Sequence, residues 1–416
     1  MPTLYFGQGI PFVVAMTLSV VLYKNLGVGN AEIALYTSWL YLPWVIKPLW
    51  SPLVELHGTK RRWIVALQFF IGAALAAVSL TLPLDRVLQL SLALFWLVAF
   101  ASATHDIAAD GFYMLALPQR AQAAFVGVRS TCWRLASIAG QGGLVVLAGE
   151  LNDRLGSPAA GWAVVMAALG GAFMLLAAWH GWALPRPAAD LPAPRVAALW
   201  RGFVDVFADF LRRPGIARVL AFLLLYRFAE AQLVKLLPPF LLDPVEVGGL
   251  GLRTQDLGLA YGTVGVALLT AGGLLGGWVI SRIGLQRALW PAAMCLNLPN
   301  LVYVALALLP PQPLWVVSAA IGIEQFGYGL GFTAYLVFML MVAAGPGGAN
   351  PHRTAHYALC TGFMALGMMI PGLWAGWLQQ QLGYPGFFAW VCGVTALSFA
   401  ACALVRIEPG FGTRDA

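Results

Sequence analysis

The chain has 416 residues, of which 60% are hydrophobic and only 10% charged, and its mean hydropathy is +0.80. So few charged side chains cannot cover a soluble protein of this length, so an all-α membrane protein is expected. The net charge of +7 does not point to nucleic acid, because Lys and Arg fall in short loops between apolar segments and no basic cluster with interleaved aromatics stands apart from them.

A crossing helix needs about 20 apolar residues. In chain order, twelve such stretches run approximately over 3–23, 31–55, 62–82, 87–117, 121–149, 160–183, 216–242, 256–281, 288–309, 314–344, 354–378 and 384–405. The first has neither a basic start nor a small-residue cleavage site and continues into a full span, so no cleavable signal is expected. Counted on alternate sides of these spans, Lys and Arg divide fifteen against four, which places the richer side and both termini in the cytoplasm. The five cysteines are odd in number, lie in apolar segments and show no metal-ligand spacing. Packing residues are expected there, with no disulfide, metal or cofactor.

Between the sixth and seventh stretches lies the one extended polar linker, 184–214, whose opening run from Pro185 to Pro194 is proline-rich and extended. Its second part places Leu199, Phe203, Val206, Phe207, Phe210 and Leu211 at helical spacing among Arg201, Asp205, Asp209 and Arg212, the pattern of an interfacial amphipathic helix. The chain therefore divides into a bundle of six helices over 1–183, the cytoplasmic linker, and a second six-helix bundle over 215–416. An offset of 219 carries Trp96 onto Trp315 and His105-Asp106 onto Glu324-Gln325, which places polar pairs at equivalent depths of the fourth and tenth helices. Two related six-helix halves with the binding site at their interface describe the major facilitator architecture.

Ionisable residues inside apolar spans mark a functional site by default. The densest group is Ser102-Ala-Thr-His-Asp-Ile-Ala-Ala-Asp110. Asp106 and Asp110 share a helix face, and His105 points about 100° away. One carboxylate is expected to exchange a proton while His105 binds substrate or tunes it; the plainer alternative is mutual hydrogen bonding between helices. Arg129 and Arg134 sit in the fifth helix, where a buried guanidinium requires a carboxylate or an anionic ligand. In the seventh, Arg227 and Glu230 are three apart and can pair on one face. Glu324, beside Gln325, has no Lys or Arg within a turn and is expected to be protonated or substrate-facing. Lys47 lies about 12 Å from the end of the second helix by the helical rise. The aromatic residues Tyr5, Tyr41, Trp44, Trp133, Tyr328 and Tyr335 could stack on sugar rings or simply pack, and the glycine runs 140–143, 272–277 and 327–331 permit close helix approach.

Lys47-Pro-Leu-Trp-Ser-Pro-Leu-Val-Glu55, the 102–110 run, Tyr226-Arg-Phe-Ala-Glu230 and Glu324-Gln325 resemble the corresponding motifs of the AmpG-type muropeptide permeases, a family whose wider membership includes acetyl-coenzyme A transporters. The resemblance covers both halves. It departs at His105, where the family has Gln, and at Glu55, where it has Asp. It implies a monomeric importer of the bacterial inner membrane that carries anhydro-muropeptides with protons by alternating access; related permeases import siderophores, and that cargo stays open, as does a peptide-like or coenzyme-A-like solute. It also implies a role for Arg134, within Trp133-Arg134-Leu135, in substrate binding or proton switching. Glu55 with Lys60, Arg61 and Arg62 resembles the superfamily's gating motif, whose charge pairs break as the cytoplasmic side opens. An integral-membrane acyl or glycosyl transferase using His105 and Asp106 is the competing class, and no nucleophile motif or catalytic domain accompanies the patch.

Overall fold

The computed structural model describes residues 1–413 except 118, 189, 192–195, 310–312, 346–349 and 351; the side chains of 55, 119–124, 126 and 196–203 also lie outside the described residues. The gating expectation for Glu55, and the amphipathic-face expectations for Leu199, Arg201 and Phe203, therefore fall outside them.

Every regular element among the described residues is a helix: α1 (Pro2–Val13), α2 (Ser19–Asn25), α3 (Asn30–Trp39), α4 (Leu42–Leu56), α5 (Lys60–Thr81), α6 (Val87–Ala116), α7 (Gln119–Ile138), α8 (Val145–Leu155), α9 (Pro158–Ala183), α10 (Val196–Leu211), α11 (Ile216–Leu225), α12 (Phe228–Leu242), α13 (Thr254–Leu257), α14 (Val266–Asn297), α15 (Leu301–Leu308), α16 (Leu314–Ala344) and α17 (Arg353–Leu404). Short π-turns at Val14–Leu18, Ala139–Leu144 and Gly258–Gly265 carry α1 into α2, α7 into α8 and α13 into α14 without breaking the rods.

Seven helices among the described residues are long and apolar enough to cross a membrane, and the chain is a multi-pass membrane protein. Two of the seven, Thr254–Leu308 with 55 residues and Arg353–Leu404 with 52, far exceed the roughly 20 residues of one crossing. Each is two helices joined across a kink. Gly284 (φ 78°) and Gly383 (φ 67°) make the turns, in a left-handed conformation that a Cβ would penalise.

The chain forms two compact units. The first comprises Met1–Val28 and Ile46–Arg201; its core packs Leu4, Val54, Ile64 and Phe112 among α1, α4, α5 and α6. The second comprises Gly29–Val45 and Gly202–Ala416. Here α14 and α16 touch backbone to backbone: a Cβ on Gly272 would lie 1.9 Å from the Phe326 carbonyl oxygen, and one on Gly329 would lie 2.0 Å from that of Leu269. The close helix approach read from the 272–277 and 327–331 glycine runs is thus present. Also in this unit, the end of α10 is docked rather than simply amphipathic. Phe210 is fully buried beside His356 and stacked on Phe363, and the Val206 carbonyl accepts a hydrogen bond from His356 Nε2 at 3.2 Å.

The expected equal depth of His105 and Glu324 does not hold. His105 stands eighteen residues past the start of α6, and Glu324 only ten past the start of α16. The difference of eight residues is about 12 Å along a helix. The 219 offset matches residue types, but the two helices begin 227 residues apart, at Val87 and Leu314.

Candidate functional site

Each unit carries its own group of ionisable residues inside apolar helices. In the first, α6 presents Asp106 and Asp110 one turn apart, as their spacing requires. Lys47 of α4 places its Nζ 3.7 Å from Asp106 Oδ2. Arg129 of α7 places Nη2 2.7 Å from Asp110 Oδ1, and its guanidinium lies over the rings of Tyr5 at 4.6 Å and Tyr113 at 5.8 Å. Those two rings meet edge to face with centroids 5.9 Å apart. The carboxylate that a guanidinium in the fifth span needs is therefore Asp110, and two cations balance two acids. Arg134 is half-buried on the same helix, five residues on and so more than a turn beyond Arg129.

His105 does not join this group. It is 2% exposed and faces α5 and α9, where a polar chain crosses the unit: Thr3 Oγ1 donates to His180 Nε2 (2.9 Å), His180 Nδ1 donates to Gln68 Oε1 (2.8 Å), and Gln68 Nε2 donates to His105 Nε2 (3.0 Å). This hydrogen-bond order fixes both imidazoles as Nδ1–H tautomers. Gln68 and His180 were not singled out from the sequence, although both carry the signal that singled out His105, a polar side chain within an apolar span.

The basic turn is bound within its own unit. The backbone N–H groups of Lys60 and Arg61 donate to the Asp190 carboxylate at 2.7 and 3.1 Å, which makes Asp190 the anionic cap of α5. Arg61 Nε donates to the Leu184 carbonyl at 3.1 Å, and its Nη2 donates to the Gly181 carbonyl. Lys60 Nζ donates to the Val54 carbonyl at 3.4 Å, while its stem lies against Gly111 of α6. The Arg62 N–H is capped by Thr59 Oγ1. Asp190 lies in the proline-rich linker, where nothing in the local pattern marks a helix cap.

In the second unit, Arg227 and Glu230 do not form the expected pair along one helical face. The helix is broken at Tyr226 and Arg227, between α11 and α12, and Arg227 has non-helical φ −110° and ψ 19°. Its guanidinium turns to α16, donating to the Tyr328 hydroxyl and lying over the rings of Phe332 at 4.6 Å, Tyr328 at 5.3 Å and Tyr335 at 6.0 Å. Glu230, 1% exposed, accepts no hydrogen bond on either carboxylate oxygen from the described residues, yet it interacts electrostatically with Glu324 and Arg227. Glu324 is fully buried. Its Oε2 accepts from the Tyr303 hydroxyl at 2.8 Å and from Gln325 Nε2 at 2.9 Å, and its Oε1 has no hydrogen-bond partner among the described residues. Lys235, five residues beyond Glu230 on α12, is directed elsewhere: Nζ donates to Thr37 Oγ1 at 3.1 Å and lies 5.2 Å from the Tyr41 ring. Near the other end of α3, Asn30 Nδ2 contacts Asp243 Oδ2, Gln379 Oε1 and the Tyr384 hydroxyl at 2.9 to 3.0 Å, and Tyr384 donates to Asp243 at 2.6 Å.

Two buried acids with open carboxylate oxygens, one of them beside a caged guanidinium, can hold a proton or a donor-rich ligand, and the ion-paired set in the other unit can exchange its partners for those of a charged solute. Residues 8–214 match the BT1 family. The anhydromuropeptide permease of Escherichia coli K12 is 26% identical over 351 residues, covering 83% of this chain and 67% of its own length. A putative transporter AmpG 4 of Rickettsia conorii is 22% identical over 92% of this chain and 89% of its own. Among solved structures, the nucleoside transporter NupG matches with a TM-score of 0.70 at 17% identity over 98% of both chains. A bacterial homologue of the human lysosomal transporter Spinster, inward-facing and unoccupied, matches at 0.68 and 17%, over 97% of this chain and 94% of its own.

Proposed function

We propose, on the premise that the chain is an AmpG-like membrane transporter of the major facilitator type and not an enzyme, that it imports anhydro-muropeptides of the GlcNAc-anhydroMurNAc type together with protons. The observation that carries this reading is the juxtaposition of acids and cations within apolar helices: Asp106 and Asp110 with Lys47 and Arg129 in one unit, and the buried Glu230 and Glu324 with Arg227 beside Glu230 in the other. A lipid-embedded scaffold gains nothing in stability from such groups, whereas a charged, polar cargo needs them. Aromatic faces beside both sets, Tyr5 and Tyr113 in one and Tyr328 and Phe332 in the other, suit the apolar faces of sugar rings.

The cargo comes from the relatives' names and the motifs they share with this chain. We read the cycle as alternating access in a twelve-span monomer with cytoplasmic termini in the bacterial inner membrane, Arg134 as a contact for an anionic group of the cargo, and the Lys60–Arg62 turn as a gating element anchored by Asp190. His105, the departure from the family pattern, faces Gln68 and His180 and not the acids, so it gives no reason to change the cargo. The test is uptake of radiolabelled anhydro-muropeptide into vesicles with ferric siderophore and acetyl-coenzyme A as competitors. Accumulation that collapses with the pH gradient, and that only unlabelled muropeptide competes away, is expected. Competition by the siderophore instead would move the cargo to that class, and accumulation indifferent to the gradient would remove proton coupling.

A further inference from the structure

The two units differ in how their charges balance. In the first, each acid has its own cation, Asp110 with Arg129 at 2.7 Å and Asp106 with Lys47 at 3.7 Å. In the second, Arg227 interacts with Glu230, Glu230 in turn interacts with Glu324, and the Arg227 Nη2 is engaged by Tyr328 within the aromatic cage. Lys235, five residues from Glu230, donates to Thr37 and stacks on Tyr41. With both glutamates ionised, the cluster would hold one uncompensated negative charge at 0 to 1% exposure, a state that costs several kcal/mol.

The hydrogen bonds show what is missing. Of the four carboxylate oxygens, only Glu324 Oε2 accepts from the described residues, namely Tyr303 and Gln325. The remaining three, both of Glu230 and Oε1 of Glu324, are buried acceptors without donors among the described residues. A protonated carboxyl supplies one O–H donor and removes one charge together. Glu324 already receives two donors, which favour its ionised form, whereas Glu230 receives none. The other groups in electrostatic contact with the pair, Tyr41, Tyr261, Tyr303 and Tyr328, are neutral phenols that cannot offset the charge.

We infer that Glu230 and Glu324 hold a single shared proton, resident on Glu230 and directed to the open oxygen of Glu324, and that it is the coupling proton of transport. The assignment rests on the proton-coupled reading above, which did not choose among the four acids. No covalent bond other than the exchanged O–H is made or broken.

Infrared difference titration of the purified transporter tests the proton without any cargo. The wild type should show one carboxylic-acid carbonyl band for a buried acid. Glu230→Gln and Glu324→Gln should each abolish it, because one glutamate then stands against the one cation of the cluster. Arg227→Gln, with two acids and no cation, should double it, and Asp106→Asn or Asp110→Asn should leave it at full size. A band that survives both glutamine variants, or that vanishes in either asparagine variant, overturns the assignment. Should Arg227→Gln fail to fold, the four single carboxylate variants still decide. Failure of the cargo reading would appear only in the vesicle uptake assay and leave this band untouched.

Discussion

His105 and Asp106 are adjacent in sequence and 100° apart on α6, and that rotation sends them to different chemistry. Asp106 meets Lys47, while His105 meets Gln68 and through it His180. The divergence was legible from helical geometry, but the destination of His105 was not, because its partners lie 37 and 75 residues away on α5 and α9 and leave no local trace. Gln68 is the hinge of that chain, donating to one imidazole and accepting from the other. Gln68→Ala leaves two buried ring nitrogens unsatisfied, at about 1–3 kcal/mol each. A clear drop in the thermal unfolding midpoint in detergent is expected, and an unchanged midpoint would mean that the chain adds nothing to stability. The Asp110–Arg129 pair should behave differently, since both side chains are more than a third exposed at 38% and 37%. A double-mutant cycle of Asp110→Asn and Arg129→Gln should return a coupling of only about 0.2–1 kcal/mol. A coupling several times larger would show that the pair is shielded from water.

At the scale of elements, the apolar spans were readable because lipid admits only long apolar helices, but the breaks within them were unevenly so. The break at Leu40 and Tyr41 precedes Pro43, which sits in the first turn of α4 and has no N–H to continue the hydrogen-bond ladder back to Trp39. The break at Tyr226 and Arg227 has neither Gly nor Pro beside it. It is tertiary in origin: Tyr226 donates to the Gly331 carbonyl at 3.1 Å and Arg227 to Tyr328, both on α16. A single-face pairing of Arg227 with Glu230 presumes an unbroken helix, and packing overrides it. Packing also gives one glycine substitution two opposite signs in α17. A Cβ on Gly376 would meet the Asn30 carbonyl oxygen of α3 at 2.2 Å, whereas one on Gly393 meets nothing within 4 Å. Gly376→Ala should therefore cost about 1–3 kcal/mol through overpacking. Gly393→Ala should gain about 0.5–1 kcal/mol from helix propensity. Parallel thermal melts of the two variants check this, and shifts of the same sign would contradict the packing of α3 on α17.

For the whole molecule, the internal duplication matched residue types without matching depth, since the offset that aligns His105 with Glu324 misaligns α6 and α16 by eight residues. The two acid groups are accordingly not copies of one another. One is ion-paired acid by acid, and the other has, among the described residues, two acids, one guanidinium beside Glu230 and three oxygens without donors. Composition and pattern could locate both groups, but the count of charges in each depends on side-chain partners that only the fold brings together. That count sets a stoichiometry. If one proton neutralises the second group in each cycle, a difference of one pH unit across the membrane, about 1.4 kcal/mol, supports about a tenfold accumulation of cargo. With the membrane potential clamped at zero, the logarithm of the anhydro-muropeptide accumulation ratio plotted against the pH difference should rise with a slope of about one in vesicles, since each proton carries that free energy once. Glu230→Gln should flatten the line. A slope of about two would mean that both glutamates, or an acid of each unit, release a proton in every turnover, and the single shared proton would then be wrong even if transport itself is proton-driven.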